Sequence, residues 1–279
     1  MKNAPPHSAK KPKPGKTRLD VLIFERGLAP SRERAQALLL AGNILVDGQK
    51  ITKPGTQVAI DARIEIIGDQ QKYVSRGGLK LEGALQDFAI SPAGKICMDV
   101  GSSTGGFTDC LLQNGATQVF AVDVSIDQLD WKLRQDPRVL KIEKNARYLK
   151  PEDLPTAVSP AAPSAATPTF VTMPVSVTMP AFVTMDVSFI SVSKVLPAVV
   201  PVAAPASDFL ILIKPQFELE RGEIGKGGIV KDEALHQKAI ERVEAAASAA
   251  GLDLLGVKPS RLPGTEGNQE FFLHARKHP

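Results

Sequence analysis

The chain has 279 residues, 43% of them apolar, with 34 Lys and Arg set against 30 Asp and Glu. That length allows one large domain and one small one, each with a packed core. Two cysteines and four histidines exclude a disulfide-built scaffold and give no metal-ligand spacing, so no metal is expected and the cysteines read as reduced residues of a cytoplasmic protein. No stretch of 18 apolar residues free of charge and proline occurs, so no membrane span and no membrane partner are expected.

Residues 1–16 hold five lysines, four prolines and no acid, and read as a disordered basic tail. No apolar run follows of the kind a secretory signal needs. The tail carries the whole charge excess, because the chain is +4 in total and the rest sums to −1.

Residues 17–67 read as a small α+β module. Thr17-Arg18-Leu19-Asp20 has the capping-box pattern and opens an apolar helix that Gly27 ends. Ser31 caps a second helix, Arg32 to Ala41, closed by Gly42. Ile44 to Ile51 is a hairpin around Asp47-Gly48, and Val58 to Ile67 gives one more strand. The module resembles an S4 domain, an RNA-binding fold that reads structured RNA by shape. Arg18, Arg32, Arg34 and Lys53 are the cations placed against RNA phosphates. Residues 68–78 form a linker, and 79–279 the larger domain.

Lys80 opens a helix-like stretch. The next segment is the most informative in the chain. Apolar Lys95-Ile96-Cys97-Met98 runs into Asp99, then Gly101-Ser102-Ser103-Thr104-Gly105-Gly106-Phe107, then a helix from Thr108. This is the first strand, glycine turn and helix of a nucleotide-type site, where the backbone must turn tightly and a ligand must approach it. Val119 to Asp123 is a second strand ending in an acid, and Asp123 lies 22 residues after Gly101, the right distance for ribose hydroxyls. The loop lacks the Gly-x-Gly-x-x-Gly of nicotinamide sites and the Gly-Lys-Ser/Thr of P-loops. Asp99, at the mouth, would repel a pyrophosphate. An adenosine ligand with a positive centre and an amino group suits the loop, and S-adenosyl-L-methionine has both.

Two later strands end in charge: Phe182-Val183-Thr184-Met185 in Asp186, and Phe209 to Ile213 in Lys214, where Pro215 forces the chain out of the strand. Glu270 precedes the short strand Phe271-Phe272-Leu273. Strand ends are where an α/β sheet places its active edge.

The set Lys80, Asp186, Lys214 and Glu270 matches the Lys-Asp-Lys-Glu tetrad of FtsJ-type ribose 2′-O-methyltransferases. The chain resembles the TlyA (hemolysin A) family of ribosomal RNA methyltransferases from about residue 17 to about residue 275. Tyr73 to Leu81, Asp130 to Val139, Met185 to Ser191, Lys214-Pro215-Gln216-Phe217-Glu218, Gly225 to Gly228 and Gly267 to Glu270 carry the likeness. The resemblance implies a Rossmann-like methyltransferase sheet with helices on both faces behind the S4 module. It implies S-adenosyl-L-methionine as cofactor, with Gly101 to Phe107 at its methionine part. Asp123 would take its ribose, and Val124, Asn145 and Ala146 would lie beside its adenine. The implied substrate is the 2′-hydroxyl of a cytidine in ribosomal RNA of the large subunit, with the small subunit left open as a second target.

A ribose hydroxyl is a poor nucleophile, and a lysine takes its proton only if burial or a second cation favours the neutral amine. Lys214 is therefore assigned as base or hydroxyl-polarising group, Asp186 as its orienter, and Lys80 with Glu270 as a supporting pair. Between Pro155 and Asp186 the chain departs from the family, with a low-complexity insertion at 159–181 and three near-copies of one strand, Phe170 to Met173, Val177 to Met179 and Phe182 to Met185. Only the third ends in an acid and is taken as the fourth strand. The competing readings are a membrane-active haemolysin and a non-catalytic RNA-binding assembly protein. An intact tetrad argues against the second.

Overall fold

The structure, a computed structural model, describes residues 15–29, 31–67, 72–155, 179–220, 222–225, 227–264 and 266–279. Most of the basic tail, residues 68–71 of the 68–78 linker, and the insertion up to 178, with the first strand copy and all of the second but Met179, lie outside the described residues. The chain divides into two compact units, residues 1–70 and 71–279.

In the first unit, β1 (Lys16–Arg18) leads into α1 (Leu19–Glu25), and α2 (Arg32–Leu40) packs against α1. Ser31 Oγ accepts the Arg34 amide at 3.2 Å, so the expected cap of α2 is present. β2 (Ile44–Val46) and β3 (Gln49–Lys50) form the expected hairpin, with Asp47 and Gly48 both at positive φ as a type I′ turn requires. Two expectations are corrected. The capping box does not form: Arg18, not Thr17, precedes α1, and the first helical amides of Leu19 and Asp20 donate to the carbonyls of Thr56 and Pro54. The Asp20 carboxylate is taken instead by Arg18, Arg32 and Gln36. The single strand from Val58 to Ile67 is two, β4 (Gln57–Ala59) pairing with β1 and β5 (Ile64–Ile66) pairing with β2, because the chain turns at Ala62 back onto Ala59. The helices and strands enclose a core of Leu19, Leu22, Ile23, Leu39 and Ile44.

In the second unit, α3 (Arg76–Asp87) precedes β6 (Ile96–Val100), α4 (Gly106–Gln113), β7 (Gln118–Asp123), α5 (Trp131–Gln135) and β8 (Val139–Glu143). Then come β9 (Phe182–Met185), α6 (Leu196–Val199), β10 (Asp208–Ile213), α7 (Pro215–Glu218), α8 (Glu233–Ala249), β11 (Leu252–Pro259) and β12 (Phe271–Lys277). The sheet order is β11-β12-β10-β9-β6-β7-β8. All neighbouring pairs from β10 to β8 are parallel, and β12 is inserted antiparallel between β10 and β11.

The apolar runs of β6 and β10 are buried on both faces, as parallel strands under two helical layers must be. Val100, Phe209, Ile211 and Ile213 face Leu196, Val199 and Val243, whereas Cys97, Leu210 and Leu212 share a second core with Leu81, Phe107 and Leu111. Strand order reverses between β6 and β9. That switch point leaves a crevice at the carboxyl ends, where ligands of such sheets bind.

Asp20 is wholly buried, and its carboxyl is held far below the usual carboxylate range, chiefly by the Arg18 hydrogen bonds, with Gln36 and Arg32 adding and burial opposing. Its contribution to stability is therefore complete above about pH 4 and lost as pH falls toward the folded-state value. Melting followed at residues of α1 and α2 should show that acid loss, and Asp20→Asn should flatten it while costing about 1–3 kcal/mol at neutral pH.

Candidate active site

The four tetrad residues come from four separate places and meet at one edge of the sheet. Asp186 follows β9, and its amide donates to Val100 O at 2.9 Å, which continues the pairing with β6 by one residue. Lys214 follows β10, and Pro215 starts α7 at once. Glu270 precedes β12. Lys80 lies within α3, not at its start. Gly77 and Gly78 lie in the first helical turn, and Gly78 packs where a Cβ would lie 2.3 Å from the Tyr73 ring.

Two ion pairs result. Lys80 Nζ donates to Glu270 Oε2 at 2.5 Å, with both side chains buried. Lys214 Nζ lies 2.6 Å from Asp186 Oδ1, but its aligned hydrogen bond goes to Ser188 Oγ at 2.7 Å. The Asp186 contact is electrostatic and the Ser188 contact directional, since Asp186 Oδ1 has no aligned hydrogen-bond donor among the described residues.

All four residues line a cavity of about 590 Å³ together with Gly101, Ser102, Ser103, Thr104, Gly106 and Phe107. A second cavity of about 510 Å³ is lined by Asp123, Val124, Asn145 and Ala146. Gly101, Ser103, Asp186, Ser188 and Phe189 border both, so the two form one elongated cleft. The glycine turn is dictated by close approach. Gly101 has φ +85°, and a Cβ on it would lie 2.4 Å from the carbonyl oxygen of Asp186. A Cβ on Gly106 would lie 2.2 Å from Ser75 Oγ and 2.9 Å from the Gly78 amide. α4 consequently starts at Gly106, two residues before the expected Thr108. Gly105 precedes it at φ +93° and lines neither cavity.

Asp123 is fixed by two amides, Ser103 to Oδ2 at 2.8 Å and Ser125 to Oδ1 at 3.1 Å. Each oxygen keeps a lone pair for a ligand hydroxyl. Asp99 requires correction: it is not at the mouth but wholly buried beneath the turn, accepting from Thr108 Oγ1 at 2.7 Å and Thr184 Oγ1 at 3.1 Å. It cannot repel a ligand directly.

In the first unit, Arg18 and Arg32 are both committed in part to Asp20, whereas Arg34 and Lys53 are exposed without a carboxylate partner among the described residues. The sequence reading assigned no role to Ser188, Phe189 or Phe217. Phe189 is 92% exposed at φ +64° and sits 5.3 Å from the Phe217 ring. A bulky residue held in the left-handed region at the lip of a cleft is strained, and strain of this kind gathers at ligand sites. An Asp-x-Ser-Phe run at a strand end was the available signal.

The FtsJ-like methyltransferase family matches residues 73–277, and the S4 domain family matches residues 17–64. The 16S/23S rRNA (cytidine-2′-O)-methyltransferase TlyA of Mycobacterium tuberculosis is 41% identical over 263 residues, covering 94% of this chain and 90% of that protein. Hemolysin A of Brachyspira hyodysenteriae is 38% identical over 262 residues, covering 92% and 98%. A solved structure from Streptococcus thermophilus superposes with a TM-score of 0.66 at 39% identity, covering 96% of this chain and 90% of that one.

Burial, reinforced by the nearby Asp186 charge, pushes the Asp99 carboxyl up to about 7, against the opposing Thr108 and Thr184 hydrogen bonds. Between about pH 4 and that value the folded chain keeps a proton that the unfolded chain has released, so stability falls as pH rises and then levels off. The expected slope is up to about 1.4 kcal/mol per pH unit. Urea midpoints measured from pH 4.5 to 8 should lose it in Asp99→Asn.

Proposed function

The chain belongs to the FtsJ-like methyltransferases, in their TlyA (hemolysin A) branch, and on that premise we propose that it methylates the 2′-hydroxyl of a cytidine in ribosomal RNA, using S-adenosylmethionine. One observation carries the reading: the ion pairs Lys80–Glu270 and Lys214–Asp186 border the same cavity as the glycine turn.

The cleft fits the cofactor on its own chemistry. Gly101 borders both cavities, and Asp123 presents two fixed oxygens. Ser102 Oγ is buried without a partner among the described residues. Gly101 to Phe107, without Gly105, border the methionine part. Asp123 takes the ribose, and Val124, Asn145 and Ala146 face the adenine. Asp99 acts from beneath, by holding the turn. When bound, S-adenosylmethionine supplies an electrophilic methyl group on a positively charged sulfur.

The protein's own part is to hold the hydroxyl and manage its proton. Lys214 Nζ polarises or takes that proton. Asp186 offsets the ammonium's charge, and Ser188 aims it. Lys80 and Glu270 neutralise one another in the buried wall, which spares the cavity an uncompensated charge. Phe189, exposed and backed by Phe217, offers a stacking surface for an unstacked base at the lip.

Residues 17–67 act as the RNA-gripping module, with Arg34 and Lys53 free for phosphates and Arg18 and Arg32 presented on Asp20. The substrate is the large-subunit RNA, with the small subunit as a second target. The basic residues 1–16 and the relative named for both RNAs support the pair. The place of action is the cytoplasm, where ribosomes assemble. A membrane-active role is not adopted: no helix among the described residues is long and apolar enough to cross a membrane.

Lys214→Ala should lower methyl transfer by roughly 10²–10⁴-fold, the range of general acid–base contributions. Calorimetric affinity for S-adenosylmethionine should stay unchanged. Undiminished turnover would remove Lys214 from its assigned role.

A further inference from the structure

We propose that Glu218 is a positioning residue that locks the Asp186–Ser191 loop onto the Lys214–Glu218 turn; its catalytic consequence rests on the methyltransferase reading above. Glu218 ends the motif Lys214-Pro215-Gln216-Phe217-Glu218 and touches none of the four tetrad residues through its side chain. It is 6% exposed and turned away from the cleft, lining neither cavity. Its carboxylate accepts the Ser191 hydroxyl at 2.6 Å and the buried Val192 amide at 2.9 Å. Its own carbonyl accepts from Arg242 of α8 at 2.8 Å, which anchors the turn to the helical layer.

The geometry makes this bond a hinge pin. One loop carries Asp186, Ser188 and Phe189. The following turn carries Lys214 and Phe217. Three contacts of the site run between the two: Lys214 with Asp186, Lys214 with Ser188, Phe189 with Phe217. All three border the cleft, and Phe189 is almost fully exposed. Glu218 holds the same two segments together from the buried side. Burying a carboxylate there is costly, and burial does push its carboxyl group up from the usual range. An apolar residue would fill the space without that cost. A carboxylate, unlike an apolar side chain, satisfies the Val192 amide and Ser191 hydroxyl at once and so fixes the loop's register.

The test uses the full chain with S-adenosylmethionine and ribosomal RNA from unmethylated subunits. In Glu218→Ala, kcat should fall about 10²-fold, the scale of a displacement near 1 Å of groups that must be aligned. Cofactor affinity should fall less than kcat, because Asp123 is held by the Ser103 and Ser125 amides and not by this loop. The Val192 amide should lose its hydrogen-exchange protection. Glu218→Gln, whose amide oxygen still accepts from Val192, should recover most of the rate. Ser191→Ala, which removes one of the two bonds to Glu218 together with the Ser191 cap on the Ser193 amide, should give an intermediate kcat. Normal kcat in Ser191→Ala, or a lost Val192 protection with kcat intact in Glu218→Ala, overturns the proposal. If the unaltered chain transfers no methyl group, that result counts against the methyltransferase reading. Retained Val192 protection in Glu218→Ala would still sink this one.

Discussion

The second unit depends on how closely two strand ends approach. β6 and β9 are neighbours at the point where strand order reverses, and beyond their ends the backbone of Gly101 presses against the carbonyl of Asp186. Only a residue without a Cβ fits at that distance and that positive φ. The contact joins the ligand-cradling turn to the residue that pairs with Lys214. A side chain at position 101 would have to push apart the two parts that the chemistry needs together. Strain placed there cannot dissipate into the sheet, because Val100 and Met185 on either side are wholly buried.

Around that contact the site is built from charges that are paired before any ligand enters. The two lysines are equally covered, but Glu270 is buried whereas Asp186 is partly open to the cleft. Breaking a buried pair by removing one partner typically costs about 3–5 kcal/mol, because the remaining charge is left uncompensated. The first pair is therefore suited to holding α3 against the segment that enters β12. The second is suited to reorganising as a hydroxyl arrives. Buried Asp99 accepts from Thr108 and Thr184, and ties α4 to β9 through the core.

Much of this was legible in the residues. The glycine turn, the strands ending in Asp123, Asp186 and Lys214, and the choice of the last strand copy over its repeats all follow from apolar runs with charged ends. The helix caps at Ser31 and Gly42 were equally plain. The misreadings share one cause: long-range contacts outrank local pattern. Thr17-Arg18-Leu19-Asp20 has the form of a capping box, but Arg32 and Gln36, a helix away, capture the Asp20 carboxylate. Lys80 looks like a helix start, but α3 begins four residues earlier at Arg76, where Gly78 packs tightly on Tyr73. Asp99 has the position of a mouth residue in sequence, yet two threonines from other elements seal it in. Ser188 and Phe189 carry no periodic signal, since a single left-handed residue in a loop leaves none.

If the cleft alkylates a sugar oxygen, the purified chain incubated with isotopically labelled S-adenosylmethionine and unmethylated ribosomal RNA will mark that RNA, and digestion to nucleosides followed by mass spectrometry will locate the label. It should lie on the ribose of cytidine. Label on a base, or none at all from a chain that binds the cofactor, would contradict that reading.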